Sequence, residues 1–178
     1  MTFNVFLTGL LAATAAALPQ HNWGRFGKSG AVETRDSGNG GIDIVNNLGK
    51  DVYLWTIANE ETSMKTLSVG DSFHEDWTTN PNGGGVSIKM STSQDRDSVL
   101  QFEYTQDGET FFWDMSSIDV DETSDFVKAG FTAKPSDSSC RSATCAAGDI
   151  DCTESYQNPD DVNTYSCGMG SSFTLTLG

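Results

Sequence analysis

Beyond residue 41, apolar and polar residues alternate in short runs with a period of two, the period of strands whose successive side chains point to opposite faces. Ile42-Asp43-Ile44-Val45 and Val52-Tyr53-Leu54-Trp55-Thr56-Ile57 read as two strands, with a turn at Leu48-Gly49-Lys50 between them. Val86 to Met90 alternates apolar residues with Ser and Lys, and Val99 to Tyr104 repeats the pattern. That run meets Gln106-Asp107-Gly108 and resumes over Thr110 to Trp113, a hairpin signalled by the Asp-Gly pair. Ser172 to Leu177 closes the chain with another alternating run. No stretch past residue 41 holds a helical period for three turns. The pattern therefore predicts an all-β domain over residues 42–178, in the form of a β-sandwich.

The front of the chain is patterned differently. Val5 to Ala17 is apolar or small, too short to span a bilayer, and it closes on Ala15-Ala16-Ala17. This predicts a secretory signal over residues 1–17, cut after Ala17. Residues 18–41 are rich in Gly and polar side chains and almost without aliphatics, so they cannot bury a core of their own. They read as a flexible arm, a linker or a propeptide, with Arg35 as a candidate processing site.

A leader of this kind routes the chain to an oxidising compartment, which changes the reading of Cys140, Cys145, Cys152 and Cys167 from reactive thiols to disulfides. Four cysteines permit three connectivities. A zinc site would call for close Cys-x-x-Cys pairs, which the spacing lacks. The formal net charge is −15, from 25 acidic and 10 basic residues. Phosphate binding needs a surplus of Lys and Arg, so nucleic acid is excluded as a partner and anionic membrane surfaces are disfavoured. High acidity of this sort serves solubility in an acidic or extracellular medium.

Several segments carry a family resemblance. Gln101-Phe102-Glu103-Tyr104-Thr105-Gln106, followed by Phe112-Trp113-Asp114-Met115-Ser116-Ser117-Ile118-Asp119, resembles the thaumatin family's acidic strand and its aromatic-Asp-hydrophobic-Ser partner with a second Asp five residues on. Cys152-Thr153-Glu154-Ser155-Tyr156, then Asp160-Asp161, then Thr164-Tyr165-Ser166-Cys167 resembles the family's Cys-x-x-x-Tyr, Asp-Asp and Thr-Phe-Thr-Cys run. Ile44-Val45-Asn46-Asn47 and Val52-Tyr53-Leu54-Trp55 are similar to the opening strands of the fungal yeast-phase-specific secreted (Bys) proteins, which share the thaumatin-like fold. The resemblance covers roughly residues 42–178.

It implies a thaumatin-like β-sandwich with a small disulfide-stapled C-terminal loop region. By the family's nested pattern, Cys140 would join Cys167 and Cys145 would join Cys152. A further bridge that ties the family's first strand to its last residues has no counterpart, because Leu48-Gly49 and Leu177-Gly178 stand there. Ladder hydrogen bonds and packing are then left to hold those strands together. The resemblance also implies a candidate acidic cleft of Glu103, Asp114, Asp119 and Asp160 or Asp161, in some family members associated with binding or slow cleavage of β-glucans. The family's cleft arginine has no match, since Lys89 and Arg96 lie in other contexts. With 25 acids in the chain, some carboxylates will neighbour one another by chance.

Among the aromatics, Trp55 and Trp113 read as core. Trp77, between Asp76 and Thr78 and ahead of the Asn80 to Gly85 loop, reads as exposed and a candidate for stacking on a sugar ring. His21 and His74 suggest the two-histidine pattern of copper oxygenases, but His21 sits on the arm and both read more simply as solvent-exposed. Asp119 to Asp125 hints at a calcium loop but lacks its sixth-position Gly and twelfth-position Glu. The expectation is therefore a secreted monomer without metal or cofactor, acting by non-catalytic contact with a cell-wall polysaccharide such as β-glucan or with a host surface. Weak β-glucan hydrolysis and a secreted effector with a protein partner are the alternatives.

Overall fold

A computed structural model describes residues 40–178. The expected signal, most of the arm, His21 and Arg35 lie outside the described residues. The strands are β1 (Gly41–Asn46), β2 (Val52–Ile57), β3 (Lys65–Leu67), β4 (Ser72–Asp76), β5 (Val86–Ser91), β6 (Val99–Asp107), β7 (Thr110–Asp119), β8 (Phe131–Pro135), β9 (Ala143–Cys145), β10 (Tyr165–Gly168) and β11 (Phe173–Leu177). Among the described residues one short helix, α1 (Asp125–Ala129), interrupts them. The strands form a five-stranded sheet in the order β4-β1-β11-β8-β9 and a six-stranded sheet in the order β10-β7-β6-β5-β2-β3.

Alternation decides which residues meet between the sheets. Ile42 and Ile44 of β1 and Phe173, Leu175 and Leu177 of β11 turn inward from the five-stranded sheet. Leu100, Phe102 and Tyr104 of β6 and Phe111, Trp113 and Met115 of β7 face them from the six-stranded sheet. The aromatic rings interlock: Phe102 stacks on Trp113 at 5.7 Å between centroids, and Phe173 meets Trp113 edge-on at 4.8 Å. Arrangements of this sort stabilise by about 0.5–1.5 kcal/mol per pair beyond area burial.

The hairpin at Asp107-Gly108 forms as the pattern predicts. Asp107 pairs with Thr110, so Gly108 and Glu109 make the turn, and Gly108 adopts φ +59°, where a residue without Cβ is at no disadvantage. Ser124 caps α1 by accepting from the Phe126 N–H, which drives Phe126 fully into the core. Asp125, the last residue of the calcium-like run, pairs with Lys50 at 2.8 Å as the helix begins, so that run is a turn and a capped helix start.

First and last strands pair in parallel, from Ile42 opposite Phe173 to Asn46 opposite Leu177. No sulfur joins them; the Asn47 N–H donates to the Leu177 carbonyl at 2.8 Å, and Leu48 and Leu177 bury their side chains. Asn46 fixes the exit from β1. Fully buried, it donates through Nδ2 to the carbonyls of Lys50 (2.9 Å) and Leu67 (3.0 Å), and its Oδ1 accepts from the Leu48 N–H at 3.0 Å. Asn46→Ala removes all three bonds and orphans buried backbone groups, so a loss of about 2 kcal/mol is expected in urea unfolding. An unchanged midpoint would show that water or a shifted loop satisfies the same groups.

Candidate functional site

The outer face of the six-stranded sheet is polar where strand alternation leaves it so, and it carries a groove. Ser87 of β5 lies opposite Glu103 of β6, and Glu103 lies opposite Asp114 of β7. These residues share one face of adjacent strands, where directly opposed side chains have Cβ atoms about 4.5–5.5 Å apart. A groove of about 380 Å³ runs over them, bounded by Ile57, Thr105, Phe112 and Thr164. Phe112 keeps 39% of its surface exposed.

One border of the groove comes from far along the chain. The segment after Cys152 runs along the edge of β7 beyond its pairing with β10: the Tyr156 N–H donates to the Met115 carbonyl at 2.9 Å, and the Ser117 N–H donates to the Tyr156 carbonyl at 2.8 Å. Ser117 and Ser155 join through their hydroxyls at 2.8 Å, and the Tyr156 hydroxyl bonds Thr164 Oγ1 at 2.8 Å, which sets Thr164 at the groove. Disulfides hold this segment at both ends, Cys145 to Cys152 and Cys140 to Cys167.

Asp114 is half-buried in this groove, with Thr164 among its lining. Burial and the neighbouring Glu103 carboxylate together push the Asp114 carboxyl up to about 7. Among the described residues, neither acid has a hydrogen-bond or ion-pair partner.

The other acids of the expected cleft lie elsewhere, which corrects that expectation. Asp119 stands five residues beyond Asp114, about 16 Å along a strand at 3.3 Å per residue, past an irregularity in the β6–β7 pairing. It is exposed and accepts from Gln101 Nε2 at 3.3 Å. Asp161 accepts from the N–H groups of Gln157 (2.7 Å) and Asn158 (2.8 Å), and these bonds hold its carboxyl below its ordinary value; its work is to close its own loop. Asp160 is exposed beside it. Lys89 donates to Gln101, and Arg96 lies over the Trp55 ring at 4.6 Å and pairs with Glu61, so neither cation meets the acidic pair.

Trp77 is corrected more sharply. It is 8% exposed, within 4.6 Å of Phe111 and 4.7 Å of Tyr104 between centroids, and its Nε1–H donates to the Ser171 carbonyl at 2.8 Å. Polar neighbours in sequence gave it the look of a surface residue. The signal that would have found it is the register of β4, in which Phe73, Glu75 and Trp77 fall on one side. The exposed aromatic at the groove is Phe112, which sequence reasoning passed over as one more strand residue. His74 is not free in solvent: despite partial burial, hydrogen bonds to Asp43 (2.9 Å) and Asp76 (3.3 Å) raise its proton affinity above the usual histidine value. Among the described residues, no group of three or more His, Cys, Asp or Glu is placed to hold a metal ion.

Residues 34–178 match the model of a protein family described as Bys1, Blastomyces yeast-phase-specific protein. The chain belongs to the Bys1 family. It is 46% identical over 179 residues to the secreted thaumatin-like protein calA of Emericella nidulans, covering 100% of this chain and 98% of that protein. It is 40% identical over 140 residues to the antigenic thaumatin-like protein of Arthroderma benhamiae, covering 78% of this chain and 70% of that one. Among solved structures, the protein elicitor MoHrip2 from Magnaporthe oryzae superposes with a TM-score of 0.65 at 22% identity, over 78% of this chain and 98% of its own. The thaumatin-like xylanase inhibitor TLXI superposes with a TM-score of 0.50 at 13% identity, over 76% and 97%. At such identities the two structures speak to fold, and that fold is thaumatin-like. Within it, this Bys1 chain brings Glu103 and Asp114 to one groove and leaves Asp119, Asp160 and Asp161 outside it.

Proposed function

We propose that this Bys1 protein is secreted and acts outside the cell as a non-catalytic binding protein, its groove at Glu103 and Asp114 taking a polyhydroxylated glycan, β-glucan foremost. The observation that carries the reading is the pair of half-enclosed carboxyls without protein partners, set between an exposed Phe112 ring and the hydroxyl-bearing Ser87, Thr105 and Thr164. A flat aromatic beside convergent polar groups suits a sugar ring, which has one apolar face and a belt of hydroxyls. Secretion of this chain accords with the name of its full-length relative and with the leader.

Asp114, with its carboxyl raised beside Glu103, favours a second reading, weak glucan hydrolysis. Hydrolysis would need the two carboxyls to act as acid and nucleophile or base on one scissile bond, so its product is what distinguishes it from binding. Incubation of the purified protein with soluble and insoluble β-glucans separates the readings. Co-sedimentation without new reducing ends is the expected outcome. Reducing ends that vanish in Asp114→Asn would establish hydrolysis instead, and absence of both would leave a protein partner at the cell wall or a host surface.

A further inference from the structure

Glu103 and Asp114 face each other across the β6–β7 ladder on the floor of the groove, and among the described residues no cation or hydrogen-bond donor engages either one. Two ionised carboxylates at such a separation repel, and a ligand that excludes water strengthens the repulsion, because both charges then lie in a poorer dielectric. One proton relieves it. The singly protonated pair presents an O–H donor and free acceptor oxygens, a set matched to the hydroxyls of a neutral sugar.

Resting on the glycan reading above, we infer that Glu103 and Asp114 carry one proton between them when the groove is receptive, and that loss of this proton releases a bound neutral glycan. The surroundings leave the pair to itself. From β6, Glu103 faces Asp114. From β5, Ser87 lines the groove, and the nearby Lys89 is bonded to Gln101. Across the groove stands Thr164, bonded to the Tyr156 hydroxyl; next to it in sequence is Tyr165, with Arg141 over its ring at 4.8 Å and in an ion pair with Glu154 at 3.5 Å. Of these groups, Glu103 is the one whose charge bears on Asp114, adding to burial to bring its carboxyl to about 7. Proton and glycan are then linked reciprocally: a ligand that covers the pair raises its hold on the proton, and the proton raises the hold on the ligand.

The sign follows directly. Below about 7 the receptive form dominates; above it the doubly ionised form takes over. Apparent affinity scales with the receptive fraction, so the dissociation constant for laminarin, a soluble β-glucan, is expected to rise about tenfold from about pH 5 to about pH 8. Calorimetry in buffers of different ionisation heat should show proton uptake on binding at about pH 8. Asp114→Asn, which fixes a neutral donor and acceptor in place, is expected to bind equally at both pH values and to exceed the unmodified protein at the higher one. A structural role for Asp114 would not improve binding on its removal. Equal laminarin affinity at both pH values in the unmodified protein overturns the proton inference while the glycan reading stands. Absence of laminarin binding at either pH overturns both. A carboxyl NMR titration that placed Asp114 in the ordinary aspartate range would overturn the inference whatever laminarin does.

Discussion

Trp77→Ala is expected to lower the stability of the domain by about 3–5 kcal/mol, the range for truncating a buried large aromatic. The indole packs against Phe102, Tyr104, Phe111 and Phe173 and so joins rings from both sheets. Its removal opens a cavity at the centre of the stack and leaves the Ser171 carbonyl without the 2.8 Å bond it accepts. Trp77→Phe keeps most of the packing and loses that bond, for about 1 kcal/mol. Urea unfolding of the two variants orders them. A midpoint for Trp77→Ala within error of the unmodified protein would return Trp77 to the surface.

Replacing Cys140 and Cys167 together by Ser is expected to cost more than replacing Cys145 and Cys152 together. The bridges close separations of 27 and 7 residues. On the chain-entropy model these correspond to ~3.5 and ~2.4 kcal/mol. The longer bridge also ties β10 back to the segment that precedes β9, and β10 carries the chain that places Thr164 at the groove. If the groove takes a glycan as proposed, the Cys140/Cys167 variant should lose that binding before it loses its far-ultraviolet spectrum, whereas Trp77→Ala should lose both in one transition. Free thiols in the oxidised secreted protein, or a reversed order of stabilities, would contradict this.

Much of the sandwich was legible along the chain because its central strands are long and half-buried, and such strands write themselves as alternation. Strands β1, β2, β5, β6, β7 and β11 all carry that signature. The edge strands do not: β3 and β9 are three residues long, too short for a period to register, and β4 is polar apart from Phe73. Missing β4 led directly to the misreading of Trp77, since a residue one step past an unrecognised strand has no assigned face. The site was half-legible. Motif order drew Glu103 and Asp114 together, and their cross-strand pairing is local to one hairpin. Asp119 was grouped with them by the family resemblance, but it stands five residues along the strand from Asp114 and does not line the groove.

Local sequence determined which segments become strands, which residues of each turn inward, where the tightest hairpin bends and that four cysteines stand ready for an oxidising environment. These properties depend on neighbours within a few residues, so the linear order contains them. The tertiary structure decided that Trp77 belongs to the core, that β1 and β11 lie side by side in parallel without a sulfur bond, and that a loop held by two disulfides runs along the edge of β7 and brings Thr164 to the groove where Asp114 is half-buried. Each of these joins segments remote in the chain, and the dielectric and packing that give a side chain its chemistry exist only once those segments meet.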